Sequence, residues 1–243
     1  MNVMSLRPEL IELDTFGIPC FLVRMHGHEP LTAALVARAK AERRADPRGR
    51  NYQGESTWHS QDELHRDPDY ADLRSAFDLA IEALWARVGW RAQAHPWEHV
   101  GLWVNISGPG CATHTHEHWG HGGSTFSGTY YAQVPPGSGG FRVENPDAYL
   151  TRVERECVLD LEPFSVPRWF ELQPAAGDLA LFPSWVEHCV MPNRSDVERI
   201  SWTGLFTTSG LAAKPRGGAE RGWSRPERGW LEHPNPDPLA AVD

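Results

Sequence analysis

The chain has 243 residues, 40% of them hydrophobic and 23% charged, which is enough to bury a substantial core. Its formal net charge is −9 and it has no basic tract, which argues against nucleic acid or an anionic membrane surface as a partner. Its four cysteines form no C-x-x-C pair, and the sequence has neither a signal-peptide pattern nor a run of about 18 apolar residues. These features predict a globular protein of a reducing compartment, most simply the cytoplasm.

The first 95 residues predict helical support with two short strands. Residues 10–13 and 18–23 are the predicted strands, separated by a turn. Pro30 opens an Ala-rich amphipathic helix over residues 31–40. Residues 45–69 are polar and rich in Gly, Pro, Asp and His, which predicts a long loop. A second helix is expected from about residue 70 to 88, with its apolar residues on one face and a stop at Gly89.

From about residue 96 the sequence consists of short β-branched and aromatic runs separated by Gly/Pro turns. The predicted strands are residues 99–106, 125–134, 141–143, 168–172, 178–182 and 200–206. This pattern favours a mainly β fold, a jelly roll with the two helices packed outside it. Apolar periodicity ends after Ser209, so we expect one domain over residues 1–212, with its core at 96–212, and an extended tail over 213–243.

A cluster of histidines stands out near the middle of the chain. Four of the twelve histidines fall within residues 114–121, and His114, His116 and His118 alternate with other residues. In an extended strand, side chains at positions i, i+2 and i+4 point to the same face, so this spacing gathers imidazoles on one side of a sheet. The run therefore predicts a metal site.

Three later residues give the histidine run a chemical context. His188 follows an apolar strand, and Arg199 and Ser201 follow eleven and thirteen residues later on one strand face. Non-haem iron(II) oxygenases hold the metal with three protein ligands and leave positions open. In those that use 2-oxoglutarate, the remote carboxylate of this cosubstrate needs a fixed cation, and the planar fork of an arginine provides one. The order of these residues matches that requirement.

The chain from about residue 101 to 206 resembles a family of 2-oxoglutarate- and iron(II)-dependent oxygenases of bacteria and phages that lies near the prolyl hydroxylases. The residues that carry the resemblance are 103–106 (WVNI), an H-x-H in the histidine run, 124–131 (STFSGTYY), 144–146 (ENP), 177–178 (GD), 182–185 (FPSW), His188 and 199–201 (RIS). The resemblance implies a double-stranded β-helix of the cupin-like kind, iron(II), 2-oxoglutarate and dioxygen.

The resemblance also implies roles for individual residues. His188 matches the distal iron ligand, and Arg199 matches the partner of the cosubstrate's carboxylate, assisted by Ser201. Tyr131 lies on the strand that resembles the one supplying a cosubstrate-binding tyrosine, although a tyrosine of the core is an equal alternative. Asn105 either contacts substrate or cosubstrate, or makes a local strand hydrogen bond.

The proximal metal ligands differ from the pattern of most such oxygenases, because the run contains no H-x-D or H-x-E. Counting forward from residue 103 places the H-x-H at His116 and His118, whereas counting back from residue 127 places its second histidine at His121. His114 with His116 is an alternative pair. Glu117 points to the opposite strand face from its neighbours and is a poor ligand.

The predicted function is hydroxylation of an unactivated C–H bond in a small molecule such as an amino acid or a natural-product intermediate, with a protein side chain as the second choice. Three other functions stay open. Residues 118–120 (HWG) match the H-x-G of iron halogenases, in which chloride fills the position of the carboxylate. A three-histidine cupin-type dioxygenase would need no cosubstrate, and a metal-binding jelly roll without activity would consume no oxygen.

Overall fold

The computed structural model describes residues 6–50, 56–89, 91, 96–119, 123–146 and 167–208. The predicted tail, together with Gly120, His121 and Cys157, lies outside these residues. No helix in the described ranges is both long and apolar enough to cross a membrane.

The described part of the chain contains two helices and eleven strands. They are β1 (Arg7–Leu13), β2 (Cys20–His26), α1 (Glu29–Ala45), β3 (Trp58–His59), α2 (Ala71–Val88), β4 (Trp97–Ser107), β5 (Thr113–His116), β6 (Phe126–Gln133), β7 (Phe141–Glu144), β8 (Trp169–Leu172), β9 (Asp178–Pro183), β10 (His188–Val190) and β11 (Arg199–Thr208).

Both predicted helices form, and their ends follow local chemistry. Pro30 lies in the first turn of α1, where a missing N–H costs no hydrogen bond, and the helix continues five residues beyond its predicted end. Helix α2 ends at Gly89, which adopts the left-handed conformation (φ +74°) that glycine tolerates at a helix C-terminus. The predicted loop over residues 45–69 is less irregular than expected, because it contains β3 and two 3-10 turns, Leu64–Arg66 and Pro68–Tyr70.

The strands form two antiparallel sheets. One has seven strands in the order β1-β2-β9-β6-β11-β4-β3, and the other has four in the order β5-β10-β7-β8. Facing sheets of this kind make up a jelly roll, here the double-stranded β-helix, and the predicted mainly β fold with flanking helices is confirmed.

Strand alternation gives the seven-stranded sheet two different faces. One face packs on α1 and α2 through a large apolar core, to which β4 and β11 contribute Leu102, Val104, Ile106, Ile200, Trp202 and Phe206. The intervening residues point toward the four-stranded sheet. A second, smaller core fills part of that interior and includes Leu22, Tyr131, Phe141, Val143 and Phe182. The rest of the interior is polar and contains the candidate site.

Candidate metal and cosubstrate site

Three of the predicted ligands meet at one end of the jelly roll. His116 is the last residue of β5, His188 is the first residue of β10, and the two are partners in the antiparallel register of the smaller sheet. His118 lies two residues beyond the end of β5, where its main-chain N–H donates to the oxygen of Ser184 (2.8 Å). Two members of the histidine run thus come together, but only His116 lies on a strand, and the bond to Ser184 holds the backbone of His118.

The three imidazoles form a compact triangle. Their ring centroids lie 4.4 Å (His116–His188), 4.8 Å (His118–His188) and 5.0 Å (His116–His118) apart. One nitrogen from each ring lies within 4.8 Å of the other two, and no Asp or Glu of the described residues joins this group. Burial, followed by repulsion from His116, lowers the pKa of His188 to about 3, so this ring is neutral at physiological pH.

Hydrogen bonds at the other ring nitrogens define how two of the imidazoles are protonated. His116 Nδ1 lies 2.7 Å from the main-chain oxygen of His114, and His188 Nδ1 lies 2.8 Å from that of Val186. A carbonyl oxygen only accepts, so each Nδ1 carries a proton, and Nε2 is the ring nitrogen left for a metal. Histidine ligands of metals commonly use such partners.

The spacing of the nitrogens fits a metal ion. His116 Nε2 and His118 Nε2 lie 3.2 Å apart. Two imidazole nitrogens about 2.1 Å from one metal and at right angles to each other are separated by about 3.0 Å. Imidazole nitrogens that converge in this way are suitable donors for iron(II). The residues present therefore fit the metal that the histidine run predicts.

Aromatic side chains surround the histidines and restrict their rings. Phe182 and Phe141 lie 4.7 and 5.3 Å from His188, measured between ring centroids. The indole of Trp103 meets His118 edge-on at 5.7 Å. These aromatic rings pack against the imidazoles of His118 and His188 on the inner side of the site.

The interior beside the histidines is polar along β4, β11 and β6. Its inward polar side chains there include Asn105, Ser107, Ser127, Thr129, Arg199, Ser201 and Thr203. Burying polar groups costs free energy unless they find partners, and several of these side chains pair with one another. A polar lining of this kind suits a polar ligand.

Arg199 adds a buried cation to this polar lining. Its side chain donates to the main-chain oxygens of Ser138 (2.7 Å) and Gly139 (3.3 Å) and to the hydroxyl of Ser107 (3.1 Å). No Asp or Glu in the described ranges pairs with it, and burial lowers its pKa. Uncompensated buried charge is costly, so the guanidinium is suited to an anionic ligand.

The other predicted cosubstrate residues lie in one row across three strands. Ser201 is the register partner of both Asn105 and Tyr131. The hydroxyl of Tyr131 is buried and has no hydrogen-bond partner among the described residues. The amide of Asn105 is occupied, since it donates to Thr203 Oγ1 (2.9 Å) and accepts from the indole of Trp103 (3.0 Å).

The remaining candidates for the proximal site lie away from the triangle. His114 is exposed and is not part of the histidine group. Glu117 accepts a hydrogen bond from the main-chain N–H of Trp119 (2.7 Å) and is not part of the histidine group. His121 lies outside the described residues.

Sequence reasoning missed the residues that support the site. Ser127 and Ser184 lie behind His118, and Ser107 and the carbonyls of residues 138 and 139 hold Arg199. Ser127 and Ser184 belong to the segments that carry the family resemblance. Strand alternation on β4 could have placed Ser107 on the inner face, but no local pattern predicts its contact with Arg199, which is 92 residues away.

Comparison with known families gives a match over the jelly-roll core. The family model described as "Putative 2OG-Fe(II) oxygenase" matches residues 101–203, a range that contains every residue of the candidate site. No match to the chain was found among curated proteins.

Solved structures of low sequence identity share the fold. One is HygX from Streptomyces hygroscopicus with nickel, 2-oxoglutarate and hygromycin B bound (14% identity, 79% of this chain and 84% of that chain, TM-score 0.51). Another is a Pseudomonas putida prolyl-4-hydroxylase (19%, 75% and 88%, 0.51). A third is a Trichoplax adhaerens prolyl hydroxylase in complex with a peptide fragment of hypoxia inducible factor (11%, 80% and 86%, 0.56).

Proposed function

We propose that this chain is a 2-oxoglutarate- and iron(II)-dependent oxygenase, as the family match over residues 101–203 supports, and that His116, His118 and His188 are its iron ligands. The convergence of their three imidazoles is the observation that carries the proposal. A ligand set of three neutral histidines differs from the two-histidine, one-carboxylate set common in such enzymes. The bound centre would consequently carry one more positive charge, which favours anionic ligands at its open positions.

The proposal assigns 2-oxoglutarate to the polar interior next to the histidines. Arg199 pairs with the remote carboxylate, and its bonds to main-chain carbonyls aim the guanidinium before the cosubstrate enters. Tyr131 donates its buried hydroxyl to the same carboxylate, and Ser201, its register partner, adds a second donor. Asn105 acts indirectly, since its amide orients Trp103 and Thr203.

Iron bound together with 2-oxoglutarate and dioxygen supplies the oxidation, in which 2-oxoglutarate becomes succinate and carbon dioxide and one oxygen atom enters the substrate. The protein contributes binding and exclusion of water. His116 and His188 keep their protons on Nδ1 through main-chain carbonyls, so their Nε2 atoms stay available. Phe141 and Phe182 shield the inner side of the site.

The substrate we propose is a small molecule with an apolar or cationic part, such as an amino acid or a natural-product intermediate, that is hydroxylated at an unactivated C–H bond. Trp119 and Trp185 are exposed indoles, each one residue beyond the main-chain hydrogen bond that joins residues 118 and 184. Their faces, and the net charge of −9, favour a cation. HygX provides an example of a small-molecule ligand in this fold.

The function is tested first without a substrate. Anaerobic addition of iron(II) and 2-oxoglutarate should produce a visible charge-transfer band, and aerobic incubation should release succinate. His116→Ala should lose both signals, because one of three metal-binding nitrogens is removed. The matched control is His114→Ala, which removes an exposed imidazole from the same strand and leaves the carbonyl that accepts from His116. Absence of the band and of succinate in the unaltered protein would reject the proposal.

The substrate class is tested by succinate release above the substrate-free rate. Amino acids and other small amines should stimulate release and gain one oxygen atom by mass spectrometry. Stimulation by peptides alone would shift the assignment to a protein side chain.

We also infer a reducing compartment for the protein. Cys20, Cys111 and Cys189 are free thiols in the described part of the chain, which fits the predicted cytoplasmic location.

A further inference from the structure

The three histidines of the site differ in what their Nδ1 atoms meet. His116 and His188 each face the main-chain oxygen of the residue two positions earlier. His118 instead faces a side chain, because its Nδ1 lies 2.9 Å from Ser127 Oγ. Ser127 Oγ lies 2.9 Å from Ser184 Oγ, and both serines are completely buried. A chain of two hydroxyls thus lies behind one of the three proposed ligands.

A serine hydroxyl restricts the protonation of a histidine nitrogen less than a carbonyl oxygen does. Carbonyl oxygens only accept hydrogen bonds, whereas a serine hydroxyl donates one and accepts others. For His118 to present a lone pair at Nε2, its Nδ1 must carry the proton and Ser127 must accept it. The hydrogen of Ser127 must then point to another acceptor, and the Oγ of Ser184 lies at hydrogen-bonding distance from it. These requirements set the direction of both hydrogen bonds, from His118 to Ser127 and from Ser127 to Ser184.

We propose that Ser127 and Ser184 are positioning residues for His118, which hold its ring in the metal-binding tautomer through bonds donated from His118 Nδ1 to Ser127 and from Ser127 to Ser184. This inference rests on the proposed function, because it takes the three histidines as the iron ligands. Hydrogen bonds that run in one direction polarise one another, so the terminal acceptor strengthens the first bond.

The position of Ser184 supports this role. Its main-chain oxygen accepts from the N–H of His118 (2.8 Å), so the residue constrains both the backbone and, through Ser127, the ring of the same histidine. His118 lies beyond the end of β5, so the strand pairing that orients His116 does not extend to it. The two serines orient His118 instead, since Ser127 belongs to β6 and Ser184 follows β9.

The test measures metal affinity without turnover. Nickel(II), which needs no exclusion of oxygen, is titrated calorimetrically into the metal-free full-length protein. Ser127→Ala should weaken binding about 10- to 100-fold, the range for loss of an outer partner of a metal-bound histidine. Ser184→Ala should weaken it less, about 3- to 10-fold, because it removes only the terminal acceptor.

The matched control is Ser124→Ala. Ser124 is as deeply buried, but its hydroxyl donates to the main-chain oxygen of His118 (2.9 Å) and does not reach the ring. Its loss should leave nickel affinity within about two-fold while lowering thermal stability, as expected for any lost buried hydrogen bond. Equal loss of affinity in Ser124→Ala and Ser127→Ala would overturn the inference, since it would indicate general loosening.

A second measurement reads the tautomer directly. In the zinc-loaded protein, nuclear magnetic resonance should show a slowly exchanging Nδ1–H for His118, and exchange should accelerate in Ser127→Ala. Unchanged exchange and unchanged nickel affinity in this variant would each contradict the positioning role. Failure of the unaltered protein to bind nickel would instead contradict the proposed function.

Discussion

The low pKa of His188 predicts how the stability of the metal-free protein depends on pH. Burial, with repulsion from His116, keeps this imidazole neutral down to about pH 3, whereas an imidazole in the unfolded chain takes up a proton near pH 6.5. Between these values the unfolded state binds more protons than the folded state, so stability falls as the pH falls. The contribution of His188 is fully present above about pH 7 and is lost progressively below it.

The size of this effect follows from the proton count. One extra proton on the unfolded state changes the free energy of unfolding by about 1.4 kcal/mol per pH unit. Integrating from pH 7 to pH 5, with an unfolded pKa of about 6.5, gives a loss of about 2 kcal/mol. That is a large part of the stability of a typical domain.

Urea unfolding of chelator-treated protein at pH 7 and pH 5 measures this loss. His188→Gln replaces the imidazole by a neutral amide, so its stability should drop by about 2 kcal/mol less over the same interval. Other groups also contribute, among them His65, whose pKa is lowered by burial, but they are common to both proteins and cancel in the comparison. The control is His114→Gln, which alters an exposed imidazole. The same pH dependence in the unaltered protein and in His188→Gln would refute the reasoning.

Three further predictions concern the cosubstrate half of the site. Arg199→Met should weaken 2-oxoglutarate binding to the nickel-loaded protein about 100-fold by calorimetry, and Arg199→Lys about 10-fold, because lysine keeps the charge without the fork; equal affinities would contradict the assignment. Tyr131→Phe should weaken the same binding about 3- to 10-fold, whereas Tyr130→Phe, whose hydroxyl bonds to α1 on the outer face, should not. Gly139→Ala should lower stability by about 2–3 kcal/mol in thermal unfolding, because its φ is +83° and a Cβ there would collide with a main-chain carbonyl. Gly137→Ala should lower stability only by the conformational cost of its positive φ (+80°), because a Cβ there would meet no other atom.

Much of the fold could be predicted from local sequence because its signals are local. The six strands predicted after residue 96 all appear, since each is a run of β-branched and aromatic residues closed by a turn. The short β3 and β10 were not predicted: they have two and three residues, too few for a periodic pattern. Their pairing to β4 and β7 creates them.

The candidate site could likewise be predicted only in part. His116, His118 and His188 could be grouped from spacing and chemistry, and the structure brings these three together. The exposed His114 shows the limit of the period-2 argument: the register between β5 and β10 shifts between His188 and Val190, and this irregularity interrupts the alternation that would place His114 on the same face as His116. The hydroxyl of Ser184 could not be predicted, because its partner is 57 residues away and depends on how β6 and β9 are aligned.

The proposed metal ligand His116 and the proposed cosubstrate residue Arg199 lie on strands that differ in how many neighbouring strands they pair with. Arg199 lies on β11, which is hydrogen-bonded to β6 on one side and to β4 on the other. His116 lies on the four-residue β5, which in the part of the chain that the structure describes pairs with β10 alone. Strands at an edge open at lower free energy than central ones. With His116 as a metal ligand, as proposed, fraying of β5 alone would be enough to release or admit the ion, while Arg199 on β11 would stay in place.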